Sequence, residues 1–268
     1  MKTGFLTLDA IEAFDRDGYI IVENLLDAAE TKLLGDIARR DHALAAARTS
    51  RADGEGGSVD LVVENELPAD SIYSAIVQAE PLVTAMESIL GDEVYHYHHK
   101  MILKEPRVGG AWTWHQDYGY WYNNGCLLPD MASCMFAVDR ATRENGCLQV
   151  LRGSHHMGRI DHIKRGDQTG ADMERVNAAL QRMELVHVEM TPGSAVLFHG
   201  NTLHRSDQNQ SENPRWAFIC CYNTRGNDPY KAGRHPQYSP LERVAASDVA
   251  NIGRQHLQNL QRVETSQA

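Results

Sequence analysis

PGSAVLFHGNTLHRSDQNQSENPRWAF, residues 192–218, says more about the architecture than any other stretch of this 268-residue chain. A Pro-Gly turn feeds an apolar run, Ala195 to Phe198, which is too short for a helix and is bounded by turn residues, as a buried strand is. A short loop then presents His204, and eleven residues later Arg215 opens another apolar run, RWAFICCYN (215–223). The same texture recurs in VYHYHHKMILKEP (94–106), ASCMFAVDRA (132–141), CLQVLRGSH (147–155) and LVHVEMTPGSAVLFHG (185–200). Many short runs separated by Gly, Pro, Asn and Asp predict antiparallel strands joined by turns, in a sandwich or barrel.

The flanks read differently. Residues 7–48 predict a helix with Asp9 as N-cap, a strand at Tyr19–Val22 and a second helix. TSRADGEGGSVD (49–60) is small, polar and glycine-rich, hence a loop, with DGEGGS (53–58) a candidate closing lid. A further helix is expected from Asp70 to Leu90, stopped by Gly91, and another is inserted in TGADMERVNAALQRME (169–184). The expectation is one domain, 1–268: a helical part (1–93), a β core (94–230) and a C-terminal helix and tail (231–268).

Composition narrows the function classes. The chain is 42% hydrophobic and 23% charged, with a formal net charge of -10, which disfavours nucleic acid and anionic membrane as partners. No run approaches the roughly 18 apolar residues of a membrane span. The N-terminus has acidic residues where a signal peptide needs an apolar stretch. Five cysteines, an odd number with no CxxC pair, fit a reducing, cytoplasmic setting.

The chemistry points to a metal. WTWHQDYGYWY (112–122) holds His115 and Asp117 one residue apart among six aromatic side chains. His-x-Asp alone is a weak signal. If the segment is a strand, residues i and i+2 share a face, so imidazole and carboxylate converge on one ion. A facial site for non-haem iron needs one more imidazole and open positions. His96, His98, His99, His155, His156, His187, His199 and His204 are all candidates. His204 stands out because Ser206 lies two residues on and Arg215 eleven on. A guanidinium buried beside an open iron site would pair a dicarboxylate bidentately; an arginine in a surface salt bridge is the plain alternative.

Together WHQD (114–117), ENGCLQVLRGSH (144–155) and PGSAVLFHGNTLHRS (192–206) followed by Arg215 resemble the phytanoyl-CoA dioxygenase family of Fe(II)- and 2-oxoglutarate-dependent oxygenases. The likeness runs from FDRDGYIIVENLL (14–26) to RWAFICCYN. It implies a mainly β fold with flanking helices, a double-stranded β-helix (jelly roll, cupin-like). It also implies His115, Asp117 and His204 as iron ligands, with Arg215 and Ser206 holding the distal carboxylate of 2-oxoglutarate. With O2, such enzymes convert 2-oxoglutarate to succinate and carbon dioxide and oxidise a substrate carbon. Halogenating relatives replace the carboxylate ligand by a small residue; Asp117 is present, so hydroxylation is the implied outcome.

Substrate residues follow less directly. Period two places His98, Lys100, Ile102 and Lys104 on one strand face. If that face looks inward, Lys100 and Lys104 are candidates for 2-oxoglutarate or an anionic substrate; the alternative is an exposed edge, where lysine is common. Tyr118, Tyr120, Trp121 and Tyr122 form core or, around a substrate, an aromatic cage for an ammonium group. Asn201 and Arg225 are candidate donors for an acidic headgroup. The texture resembles bacterial family members acting on small zwitterions, of the ectoine hydroxylase or 2-aminoethylphosphonate hydroxylase type. Two competing readings stand beside the oxygenase: a zinc hydrolase using the same three ligands, and a non-catalytic jelly-roll binding module. The zinc reading gives no reason for Arg215 or Ser206, and the intact ligands argue against a relic binding module. The sequence leaves monomer against homo-oligomer undecided.

Overall fold

The computed structural model describes residues 1–53, 56–165 and 167–267. Its first part runs α1 (Leu8–Asp17), β1 (Tyr19–Val22), α2 (Ala28–Arg40), α3 (His42–Ala46), β2 (Thr49–Ala52), β3 (Ser58–Glu64), α4 (Ile72–Val77) and α5 (Glu80–Leu90). Then come β4 (Val94–Lys104), β5 (Trp112–His115), α6 (Asp117–Trp121), β6 (Met131–Ala137), β7 (Leu148–Leu151), β8 (His162–Arg165), β9 (Gln168–Ala171) and α7 (Met173–Leu180). The chain closes with β10 (Leu185–Val188), β11 (Ala195–His199), β12 (His204–Ser206), β13 (Arg215–Thr224) and α8 (Val249–Gln267).

Two antiparallel sheets make the jelly roll. The large one has the order β1-β11-β6-β13-β4-β3-β2, the small one β10-β7-β12-β5, and β8 and β9 form a separate ribbon. Strand periodicity sorts the side chains between two cores. On β11, Val196 and Phe198 point between the sheets, where they meet Met135 of β6, Ile219 of β13 and Val150 of β7. Ala195 and Leu197 point the other way, into a layer with Leu34, Ile76, Leu82 and Val249 from the helices. The large sheet is therefore covered by helices outside and faces the small sheet inside. This is why β13 reads as an unbroken apolar run: all ten residues are buried.

Three local expectations are corrected. Thr7, not Asp9, caps α1, its hydroxyl accepting from the Ala10 amide at 3.2 Å; Asp9 sits in the first turn, where a carboxylate suits the helix dipole. The helix expected over 70–90 is two helices, because Pro81 lies in the first turn of α5 and its ring is incompatible with a continuous helix through this point. Gly91 does end it, in the left-handed conformation at φ 74°. The supposed loop at 49–60 contains strands β2 and β3, paired from Thr49↔Leu61 to Ala52↔Ser58. β2 carries only exposed residues at the sheet edge, so no apolar alternation marks it. Within the candidate lid, Gly54 and Glu55 lie outside the described residues.

Burial pushes three histidines on the helix side of the large sheet down, His96 to about 3 and His99 and His199 to about 4. They stay neutral in the fold, whereas the unfolded chain takes up protons near pH 6.5. The unfolded state thus holds more protons between pH 6.5 and about 4, and stability must fall as pH drops through that window. Each fully titrating histidine contributes a slope of about 1.4 kcal/mol per pH unit. Urea midpoints should be lower at pH 5 than at pH 7, and His199→Gln should flatten the dependence; a midpoint unchanged between pH 7 and 5 contradicts this.

Candidate metal centre

Sheet register brings two of the ligands together. β12 pairs with β5 so that His204 lies opposite His115, their rings 4.0 Å apart between centroids. In each ring Nδ1 faces a backbone carbonyl, Thr113 O at 2.8 Å for His115 and Thr202 O at 2.9 Å for His204. A carbonyl only accepts, so Nδ1 carries the proton and Nε2 presents a lone pair. Burial, the leading cause, lowers the pKa of both, which keeps them neutral and able to ligate.

Asp117 arrives by a different route from the one expected. It is the first residue of α6, not part of the strand; the chain turns at Gln116, whose backbone is extended at φ -113°, ψ 134°. The Gln116 side chain pins that turn, donating to Gly158 O and Asn201 O and accepting from the Ile160 amide. Asp117 Oδ2 accepts from Ser133 Oγ at 3.0 Å, leaving Oδ1 3.9 Å from His115 Nε2 and 3.6 Å from Lys100 Nζ. Burial alone would raise this carboxyl; the Lys100 ammonium, the largest opposing cause, holds it well below the usual range, so it stays ionised. Ligand atoms of His115, Asp117 and His204 all lie within 4.8 Å of one another. Two neutral imidazoles and one carboxylate on one side of a cavity fit Fe(II) with positions left open.

A second pair of groups sits beside this triad. Arg215 opens β13 directly opposite Lys104, the last residue of β4. Both are buried, at 3% and 0% exposure, which is costly for cations without an anion. Arg215 Nε and Nη2 donate to Gly146 O, and Lys104 Nζ donates to Ser206 Oγ at 2.9 Å and to Asp207 O. Burial lowers both, Arg215 to about 10 and Lys104 well below a normal lysine, with Arg215 adding to the effect on Lys104. Gly146 makes this corner feasible: at φ +76° a Cβ there would lie 2.2 Å from Asp207 O. Among the described residues no carboxylate pairs with Arg215.

Triad and cation pair line one cavity of about 420 Å³ between the sheets. Lys100 and Lys104 both face it, and β4 is an interior strand between β13 and β3, so the exposed-edge alternative for the lysines falls. Of the expected substrate residues, Tyr120 and Trp121 line the cavity. Tyr118 is core, its hydroxyl donating to Leu127 O at 2.5 Å. Tyr122 is 41% exposed beneath Arg159. Arg225 pairs with Glu93 at 3.2 Å, and Asn201 is buried behind the triad, its carbonyl accepting from Gln116. The cause is helical: Tyr118 and Tyr122 are i, i+4 neighbours on one face of α6, whereas Asp117 and Trp121 occupy the other. His98 and Ile102, placed on that strand face by period two, line the cavity as well; residues not anticipated are Ser133, which orients Asp117, and Trp112, Arg234 and His235, which line the cavity.

A jelly roll in which paired strands present two histidines, and the helix that follows one of them an aspartate, to one cavity has the donor set of a mononuclear iron oxygenase. The chain belongs to the phytanoyl-CoA dioxygenase family, which it matches over residues 14–217, and is an Fe(II)- and 2-oxoglutarate-dependent dioxygenase. It is 27% identical over 248 residues to the L-proline trans-4-hydroxylase of Streptomyces griseoviridis, covering 85% of this chain and 91% of that one. To the ectoine dioxygenase of Sphingopyxis alaskensis it is 30% identical over 233 residues, covering 80% and 75%. The crystal structure of EctD from S. alaskensis with 2-oxoglutarate and 5-hydroxyectoine superposes with a TM-score of 0.74 at 24% identity, over 90% of this chain and 88% of that one. The zinc-hydrolase and binding-module readings are set aside by this membership.

If Arg215 is the carboxylate anchor, Arg215→Met should weaken 2-oxoglutarate binding by about 2–5 kcal/mol, the usual cost of removing one partner of a buried charge pair. Iron content should stay near one per chain. Calorimetric titration of 2-oxoglutarate and metal analysis read the two quantities separately; an unchanged affinity would remove Arg215 from the site.

Proposed function

We propose that the protein hydroxylates an aliphatic carbon of a small zwitterionic metabolite, with a 2-aminoethylphosphonate-type compound as the finer candidate. The observation that carries the reading is that two neutral histidines, an ionised aspartate and a buried guanidinium, paired with no carboxylate among the described residues, line one cavity. Bound Fe(II), with 2-oxoglutarate and O2, supplies the oxidising power that no side chain has. His115, Asp117 and His204 would hold the metal, and Arg215, with Ser206 and Lys104, would fix the distal carboxylate of 2-oxoglutarate. Ser133 donates to Asp117 Oδ2, which would leave Oδ1 to the metal. Phe198, Met135, Leu148 and Ile219 exclude water from the reacting side of the cavity.

Several features support a zwitterion. The cavity is small, and two of the named relatives act, by their names, on proline and ectoine, both compact zwitterions. Trp112, Tyr120 and Trp121 offer π faces suited to an ammonium group. Five buried free thiols are consistent with a reducing, cytoplasmic setting, which we include in the proposal.

The test is succinate formation by the iron-loaded protein in air, with 2-oxoglutarate and a panel containing proline, ectoine, 2-aminoethylphosphonate and its trimethylammonium analogue. At least one zwitterion should raise succinate well above the substrate-free rate and appear in a product heavier by one oxygen. Stimulation by uncharged or purely cationic compounds alone would overturn the assignment.

A further inference from the structure

One end of the cavity has polar groups that neither iron nor 2-oxoglutarate uses. On β4, His98 is six residues from Lys104, roughly 20 Å along a strand at about 3.3 Å per residue. Lys100 lies between them, beside Asp117. A five-carbon diacid held at the triad and at Arg215 extends toward Lys104, away from His98. The far end therefore serves some other group.

The backbone is built to present it. Cys221 of β13 pairs with His98 and Tyr222 pairs with His96, so Tyr97 is an extra residue, a bulge in β4. Tyr97 and His98 in succession thus bring their rings to the same two partners. They lie 4.7 and 4.9 Å from His235, and 5.7 and 6.0 Å from Trp121, between centroids. His98 is 4% exposed, and its Nδ1 has no hydrogen-bond partner among the described residues. A buried nitrogen left unpaired is costly unless a ligand meets it.

His235 acts as a bracket. Its Nδ1 faces Asn65 Oδ1 at 3.3 Å and its Nε2 accepts from Arg234 Nε at 3.1 Å, which aims the Arg234 guanidinium at the cavity. No carboxylate among the described residues pairs with Arg234. Lys100 lines the same cavity between His98 and the triad, its Nζ 3.6 Å from Asp117 Oδ1. Lys100, Arg234 and the unpaired His98 nitrogen thus line one cavity in a chain whose net charge is -10.

We propose that His98, Lys100 and Arg234 form an oxyanion subsite that takes the phosphonate or carboxylate end of the substrate and so fixes which carbon faces the metal centre. The inference rests on the oxygenase reading above and deepens it, assigning the negative end of the zwitterion to this corner and the positive end to the aromatic wall. Arg234 contributes a planar fork, Lys100 a point charge and His98 one directed hydrogen bond.

The probe is methylphosphonate, with acetate as the carboxylate arm and tetramethylammonium as the cationic control. Each is titrated under anaerobic conditions into protein loaded with Fe(II) and 2-oxoglutarate. The 31P signal of methylphosphonate should broaden saturably through proximity to the ferrous ion. Arg234→Met and His98→Phe should each weaken its binding tenfold or more, and the stronger of methylphosphonate and acetate names the substrate's anionic group. Arg234 is a surface residue, so its variant does not depend on the core refolding. Equal affinity in wild type and Arg234→Met, or no saturable broadening with no acetate binding, overturns the subsite. Failure of the oxygenase reading would look different: methylphosphonate would still bind, but no zwitterion would raise succinate.

Discussion

The pairing of β12 with β5 is the constraint on which everything else depends. Because a strand's side chains alternate, a slip of one residue would send His204 to the opposite face and leave His115 without its partner. Register is set on both sides of β12. His204 is opposite His115 on one edge and opposite Val150 of β7 on the other, and Val150 is fully buried between the sheets. Apolar burial thus fixes the position of a polar site. The same logic fixes Arg215 against Lys104, since β13 is locked on both edges by β4 and β6.

Electrostatics then divide the cavity by function. At the triad, burial keeps the imidazoles neutral while neighbouring positive charge keeps Asp117 ionised, so the donor set is ready for a dication without reorganisation. At the Arg215–Lys104 end, two cations lie side by side in a desolvated corner, an arrangement that a dicarboxylate stabilises and that water does not. At the His98–Arg234 end the demand is for a smaller anion. One face of one strand, β4, supplies a group to each of the three regions: His98, Lys100 and Lys104.

How much of this was legible in the sequence depends on what each signal measured. The short apolar runs reported burial between sheets, and burial is what strands in a sandwich share, so the β core could be read directly. His115, Asp117 and His204 were legible through motif context, though not for the geometric reason first given: Asp117 reaches the site by starting a helix, which strand alternation does not describe. The β2–β3 hairpin was invisible because an exposed edge strand has no apolar pattern. The aromatic run 118–122 misled because adjacency in sequence does not survive a helical turn, which sends Tyr118 and Tyr122 away from the cavity. Ser133, Arg234 and His235 carried no local signal at all; only the tertiary fold brings them near residues 98–117.

The most direct test of the account is the visible absorption of the anaerobic protein on adding Fe(II) and then 2-oxoglutarate. The account predicts a charge-transfer band that needs both additions, saturates at one iron per chain and is absent in His204→Ala, which should no longer retain iron. A band that persists undiminished in His204→Ala, or wild-type protein that binds both additions without developing one, would contradict the three-ligand centre.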